Sequence, residues 1–251
     1  MAGHSKWANI KHRKGAQDAK RAKIFTRIIK ELTVASKEGG PDASSNPRLR
    51  TAIQNAKGAN MPKDTIEKAI KKGSAGEGEK YSEVFYEGYG PNGIAIFVEA
   101  TTDNINRTVS NVRAIFTKYG GSLGKNGSID FMFDRKGVFE ITKESIESWD
   151  LDELEMELID GGAEDVERTD EMVIVYTSFE DFGSMTKKLE EIGVEPKSSE
   201  LQRIPTTTTA LDVSSAKTII TMIEKFEEDD DVNQVFHNLE MTDELEQELM
   251  A

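Results

Sequence analysis

The sequence predicts an α+β protein of three domains: a helical N-terminal domain plus two ferredoxin-like α/β domains, one inserted in the other. Three observations predict it. Through the first 72 residues apolar side chains recur at helical spacing, and beyond Gly78 short strand patterns take over. Residues 137–204 read β-α-β-(β)-α-β, the order of a ferredoxin-like split βαβ unit. The flanking pieces, 81–133 and 211–239, complete a second unit of similar kind, which makes the middle segment an insertion. The expected boundaries are 1–78 for the basic helical domain with its arm, 79–136 together with 205–251 for the discontinuous α/β domain, and 137–204 for the inserted one.

Residues 1–15 show little apolar periodicity and read as an arm. From Gln17 to Lys37 a helical stripe runs through Ile24, Phe25, Ile28, Ile29, Leu32 and Ala35, with Lys20, Lys23, Arg27 and Lys30 on the other side. Gly39-Gly40-Pro41 stops it. Asn46-Pro47 starts a second helix, with Asn as N-cap and Pro at the first helical position, and its inward residues are Leu49, Ala52, Ile53 and Ala56. Pro62 opens a third, with Ile66, Ala69 and Ile70 inward and Lys71-Lys72-Gly73 at its end. Ser74–Gly78 reads as a linker.

Strands are expected at 82–87 and 93–100, around a glycine-rich turn. A helix over 104–119 carries Ile105, Val109, Val112 and Phe116 on one face. Further strands are expected at 128–133, 138–142 and 171–177. Asp150 caps a helix with Glu153 in the capping-box position, and Ser178 caps another whose inward residues are Phe179, Phe182, Met185, Leu189 and Ile192. A helix running into an acidic turn recurs at 159–166, 189–194 and 226–232. Pro205 and Thr206–Thr209 read as a crossing strand or linker.

Motifs for chemistry are sparse. Gly88-x-Gly90-x-x-Gly93 spells a dinucleotide fingerprint, but that mechanism needs a helix directly after the glycines, and Ile94-Ala-Ile-Phe-Val98 is a strand. Asp229-Asp230-Asp231 lacks the spacing of a calcium loop and reads as a solvated acidic helix end. His4, His12 and His237 have no metal-ligand spacing, and there is no cysteine. No nucleophile elbow or phosphate loop is present. The expectation is a non-enzyme with no cofactor and no small-molecule substrate. No apolar run approaches the roughly 20 residues of a membrane span, and no apolar stretch follows the basic N-terminus, so the expected location is cytoplasmic, with no membrane partner.

Charge is the strong signal. Residues 1–72 hold 17 Lys and Arg against 6 Asp and Glu, a net +11, in a chain whose net charge is −14. Positive charge gathered at one end of an acidic protein is the footprint of a nucleic-acid contact. Lys and Arg neutralise phosphates and release counterions, and Trp7 could stack on a base. The candidate contacts are Lys6, Trp7, Lys11, Arg13 and Lys14 in the arm, Lys20, Arg21, Lys23 and Arg27 in the first helix, and Arg48 and Arg50 at the start of the second. The competing interpretation is a solvated basic face with no partner.

Several stretches are similar to the YebC/PmpR family: Met1-Ala-Gly-His-Ser-Lys-Trp-Ala-Asn9, Lys20-Arg-Ala-Lys-Ile-Phe25, Asn46-Pro-Arg-Leu-Arg50, Tyr86-Glu-Gly-Tyr-Gly-Pro91 and Asn104-Ile-Asn-Arg-Thr108. The family's mitochondrial relative is the translational activator of cytochrome c oxidase. The resemblance implies a helical domain followed by two α/β domains, one inserted in the other. It also implies a nucleic-acid-binding regulator of gene expression, of the DNA-binding transcriptional type, with His4 and His12 joining the basic residues of the arm as nucleic-acid contacts. The alternative it carries is a ribosome-associated translation factor that touches ribosomal RNA and relieves stalling at proline-rich stretches. It brings no catalytic residues, and neither it nor the sequence gives the oligomeric state.

Overall fold

A computed structural model describes residues 6–7, 18–76 and 80–250, with the side chains of 18–20 and 250 left aside. In chain order the elements are α1 (Asp18–Gly39), α2 (Pro47–Gly58), α3 (Lys63–Ser74), β1 (Ser82–Tyr89), β2 (Ala95–Thr102), α4 (Ile105–Lys118), β3 (Ser122–Leu123), β4 (Phe133–Thr142), α5 (Leu151–Asp160), β5 (Ala163–Arg168), β6 (Met172–Ser178), α6 (Phe182–Glu191), β7 (Ser198–Pro205), α7 (Val213–Glu227), β8 (Val232–His237) and α8 (Asp243–Met250). The fold is α+β, as the sequence predicts, and it divides into two compact units. The first takes its described residues from 24–76 and 135–202, the second from 6–7, 18–23, 80–134 and 203–250.

In the first unit, α1, α2 and α3 close around Ile28, Leu32, Ala35, Leu49, Ala52, Ala56, Met61, Ile66 and Ala69. Asn46 fixes the corner between α1 and α2. Its Oδ1 accepts from the Leu49 N–H at 3.0 Å, capping α2, while its Nδ2 donates to the carbonyls of Ala35 and Gly40, both at 2.8 Å. Four residues, 59–62, join α2 to α3, with Asn60 at φ 56° in the left-handed region that asparagine tolerates best among non-glycine residues. A side chain at Gly73 would collide with the Thr33 carbonyl, so glycine there lets α3 lie against α1. The Ser36 hydroxyl donates across the same contact to the Ile70 carbonyl at 2.8 Å.

The other sheet-bearing part of this unit has strand order β5-β6-β4-β7, with β6 antiparallel to both β5 and β4. Both crossovers, β4-α5-β5 and β6-α6-β7, skip one strand, which is the ferredoxin-like path. Phe139, Ile141, Val173 and Val175 pack from the sheet onto Leu154, Leu158, Met185 and Leu189 of the two helices. Asp150 caps α5 as expected, accepting from the N–H groups of Asp152 and Glu153.

The second unit is built on a sheet ordered β3-β1-β2-β8, antiparallel throughout. Numbered along the chain, its strands stand in the order third-first-second-fourth, against second-third-first-fourth in the first sheet, because the chain enters it on the β1–β2 hairpin. On one face lies a core of Ile96, Val98, Val112, Phe116, Ile219, Ile223 and Phe226. On the other lie Phe97, Ile129, Phe133 and Phe236. Glu87, buried in β1, accepts hydrogen bonds from the N–H groups of Gly127 (2.6 Å), Ile129 (2.8 Å) and Asp130 (3.2 Å), so one carboxylate organises the loop before β4.

Three local expectations are corrected. Residues 128–132 are not a strand: Glu87 draws Ile129 and Asp130 into a short 3₁₀ turn, and a single strand then runs from Phe133 to Thr142. Ser178 does not cap α6. It donates to Asp181 at 2.8 Å, Asp181 occupies the cap position, and Phe179, expected inward, is exposed ahead of the helix. Lys30, expected on the open side of α1, is buried. Among the described residues no helix is long and apolar enough to cross a membrane.

Candidate nucleic-acid interface

The positive charge begins in the helical region, and its positioning follows from local structure. Pro47 sets the first turn of α2, which places Arg48 and Arg50 just inside it. The Arg48 guanidinium meets Glu31 at 2.7 and 3.1 Å and Glu38 at 2.8 Å, two acids seven residues apart on α1. Arg50 donates to the carbonyls of Ala43 (3.1 Å) and Ser44 (2.9 Å), tying down the α1–α2 loop. Arg27 pairs with Glu200. These arginines hold the first unit together with the same forks that would otherwise clasp phosphates.

In the second unit, Lys6 donates to Asp243 and lies 3.7 Å from Glu246, at the start of α8. The hydrogen bond to Asp243 holds the Lys6 ammonium above the usual lysine range and the Asp243 carboxyl below the usual carboxylate range. Trp7, expected to stack on a base, packs against the core of this unit, edge-on to His237 with ring centroids 5.3 Å apart. Lys23 donates to the Glu227 carbonyl at 3.2 Å, at the C-terminus of α7 where a cation is favoured, and stands 3.8 Å from Asp230. Arg21 is exposed on α1. Lys20 lies in α1, and its side chain is outside the description. His4, Lys11, His12, Arg13 and Lys14 fall outside the described residues.

The structure therefore brings Lys6 and Trp7 to the β8–α8 end of the second unit, and Arg48 and Arg50 to the α1–α2 corner of the first. Sequence reasoning passed over Lys68, Lys71 and Lys72 of α3, treating the last two as helix-end punctuation. All three are exposed, and among the described residues none has an acidic side chain within ion-pair distance. The signal was present in the sequence: they fall on the face of α3 that Ile66, Ala69 and Gly73 leave to solvent. Among the described residues no group of three His, Asp or Glu side chains could hold a metal ion.

Comparison with known proteins matches the whole arrangement. Residues 5–76 match the model described as the TACO1/YebC protein N-terminal domain, and residues 81–239 the model for the TACO1/YebC second and third domain. A relative from Amoebophilus asiaticus is 52% identical over 241 residues, covering 95% of this chain and 98% of its own. One from Trichlorobacter lovleyi is 51% identical over 248 residues, covering 98% and 99%. Both are named "Probable transcriptional regulatory protein". The crystal structure of a conserved hypothetical protein from Aquifex aeolicus superimposes with a TM-score of 0.80 at 45% identity, covering 89% of this chain and 91% of that one. With its helical region and both sheet-bearing segments matched, the chain belongs to the TACO1/YebC family.

Proposed function

We propose that this chain is a nucleic-acid-binding regulator of gene expression, acting in the cytoplasm as a DNA-binding transcriptional regulator and without catalysis. The observation that carries the reading is the charge split: net +11 on residues 1–72 of a chain whose total is −14. The names of its relatives support transcription as the process. Binding of this kind draws most of its free energy from counterion release, so it is steep in salt, while the acidic remainder discourages wholesale wrapping by a polyanion. The three-domain division belongs to the same reading: the helical domain meets the nucleic acid, and the α/β domains present surfaces to proteins.

Formaldehyde crosslinking in cells tests it, with the DNA and the RNA recovered on this protein both sequenced. Discrete promoter peaks over background ribosomal RNA are expected. A discrete ribosomal RNA site with no promoter peaks would overturn transcription and make the protein a translation factor. In vitro, replacing Lys11, Arg13 and Lys14 together by Ala should flatten the salt dependence of binding. Unchanged binding across a salt titration would remove the arm from the interface.

A further inference from the structure

We infer that α3 is a second, sequence-independent phosphate-contacting surface, its contacts made by Lys68, Lys71 and Lys72; this rests on the nucleic-acid reading above. Four observations carry it. First, the three side chains fall within about 100° of one another around the helix, on the side away from Ile66, Ala69 and Gly73, which are buried. Second, among the described residues no acid lies within ion-pair distance of them. Asp64 and Glu67 stand one turn before Lys68 and Lys71, but Glu67 lies 3.7 Å from Lys63 instead, and Asp64 makes no ion pair among the described residues.

Third, some cations elsewhere are each held by two acids: Arg107 by Asp103 and Asp231, Arg168 by Asp152 and Glu155, Lys188 by Glu157 and Asp160. Other exposed lysines, such as Lys37, Lys143 and Lys187, stand without an ion pair among the described residues; α3 is distinguished by carrying three on one helix face. Fourth, α3 is held firmly enough to present them, with the close approach at Gly73 and the Ser36–Ile70 hydrogen bond fixing it on α1.

The chemistry points to phosphate rather than to base edges. Lysine ammoniums act as point charges, and the face carries none of the arginine, asparagine or glutamine side chains that read bases bidentately. Lys68 and Lys72 are separated by about 6 Å along the helix axis, so their flexible stems can reach separate phosphates of one strand, which recur about every 3.4 Å of duplex axis.

The test measures binding of the full chain to a short mixed-sequence DNA duplex, and to an RNA hairpin of equal length, across a salt series. The variants are the triple Lys68→Gln, Lys71→Gln, Lys72→Gln and the single Lys63→Gln, with thermal melts to establish that each is folded. For the triple variant the log–log salt slope on DNA should fall by about two to three, and affinity near 0.1 M salt on the order of 100-fold, alike for unrelated duplex sequences. Lys63→Gln should change the slope by less than about one. A folded triple variant with the wild-type slope overturns the α3 surface and leaves the nucleic-acid reading standing. Loss confined to one duplex sequence overturns the sequence-independent contact. Wild-type protein that binds neither probe overturns both readings together.

Discussion

At the start of α2, Arg48 and Arg50 turn back into the protein, while on α3 Lys68, Lys71 and Lys72 turn away from it. Both sets lie in the basic 72 residues, and a count of charges cannot tell them apart. The difference lies in side-chain chemistry and neighbours. A planar guanidinium within reach of two carboxylates, or of two loop carbonyls, makes several fixed hydrogen bonds at once. An ammonium on an exposed helix face, beyond ion-pair distance of the described acids, makes none, and keeps its charge for whatever approaches. Lys6 and Lys23 side with the arginines, since one holds α8 and the other the end of α7. Formal charge in a sequence is thus an upper bound on the charge a partner meets.

That division predicts a split between stability and binding. The largest effect is expected at Trp7, which closes the core of the second unit: Trp7→Ala should cost about 3 kcal/mol, the low end for a large aromatic because the ring is only partly buried. Asn46→Ala comes next. It removes a cap and strands the carbonyls of Ala35 and Gly40, for about 2 kcal/mol in a denaturant melt. Arg48→Ala should cost about 1 kcal/mol or less, as its ion pairs are half open to water, and should leave duplex affinity within about twofold. Were Arg48→Ala to weaken binding as strongly as the α3 triple variant while melting like wild type, the distinction between inward and outward charge would fail.

The smallest effect is a pH dependence at Lys6. The Asp243 carboxyl is depressed by its hydrogen bond from Lys6, so its contribution to stability is present above the ordinary carboxylate range and lost as pH falls through the folded value. The Lys6 ammonium is raised, so its contribution is present below the ordinary lysine range and lost at higher, alkaline pH. The gap in melting temperature between wild type and Lys6→Ala should be widest near neutrality and close at both extremes. A gap independent of pH would show that Lys6 acts through packing alone.

Much of the fold was legible where the signals were local. The Asn46 cap and the Asp150 cap each depend on residues within a turn of the cap itself, and both stand where the sequence placed them. The β-α-β-β-α-β order of the inserted segment survived because alternation and helical spacing each span only a few residues. Errors came where a distant residue decided. Ser128–Phe133 alternates like a strand, but Glu87, some forty residues earlier, takes its N–H groups. The two-residue strand β3 is too short to leave a pattern. Of the site, the enrichment of charge was readable and its availability was not. Whether Arg48 faces Glu31, or Trp7 faces His237 far along the chain, is decided by packing.

The burial of Trp7 also makes the molecule its own reporter. The chain has two tryptophans, Trp7 packed in the second unit and Trp149 against the core of the inserted segment in the first. Each unit thus carries one intrinsic fluorophore. In Trp7→Phe, ultraviolet emission follows the first unit alone, and in Trp149→Phe it follows the second. Quenching by iodide, or a shift on adding nucleic acid, can then be assigned to one unit without attaching a dye.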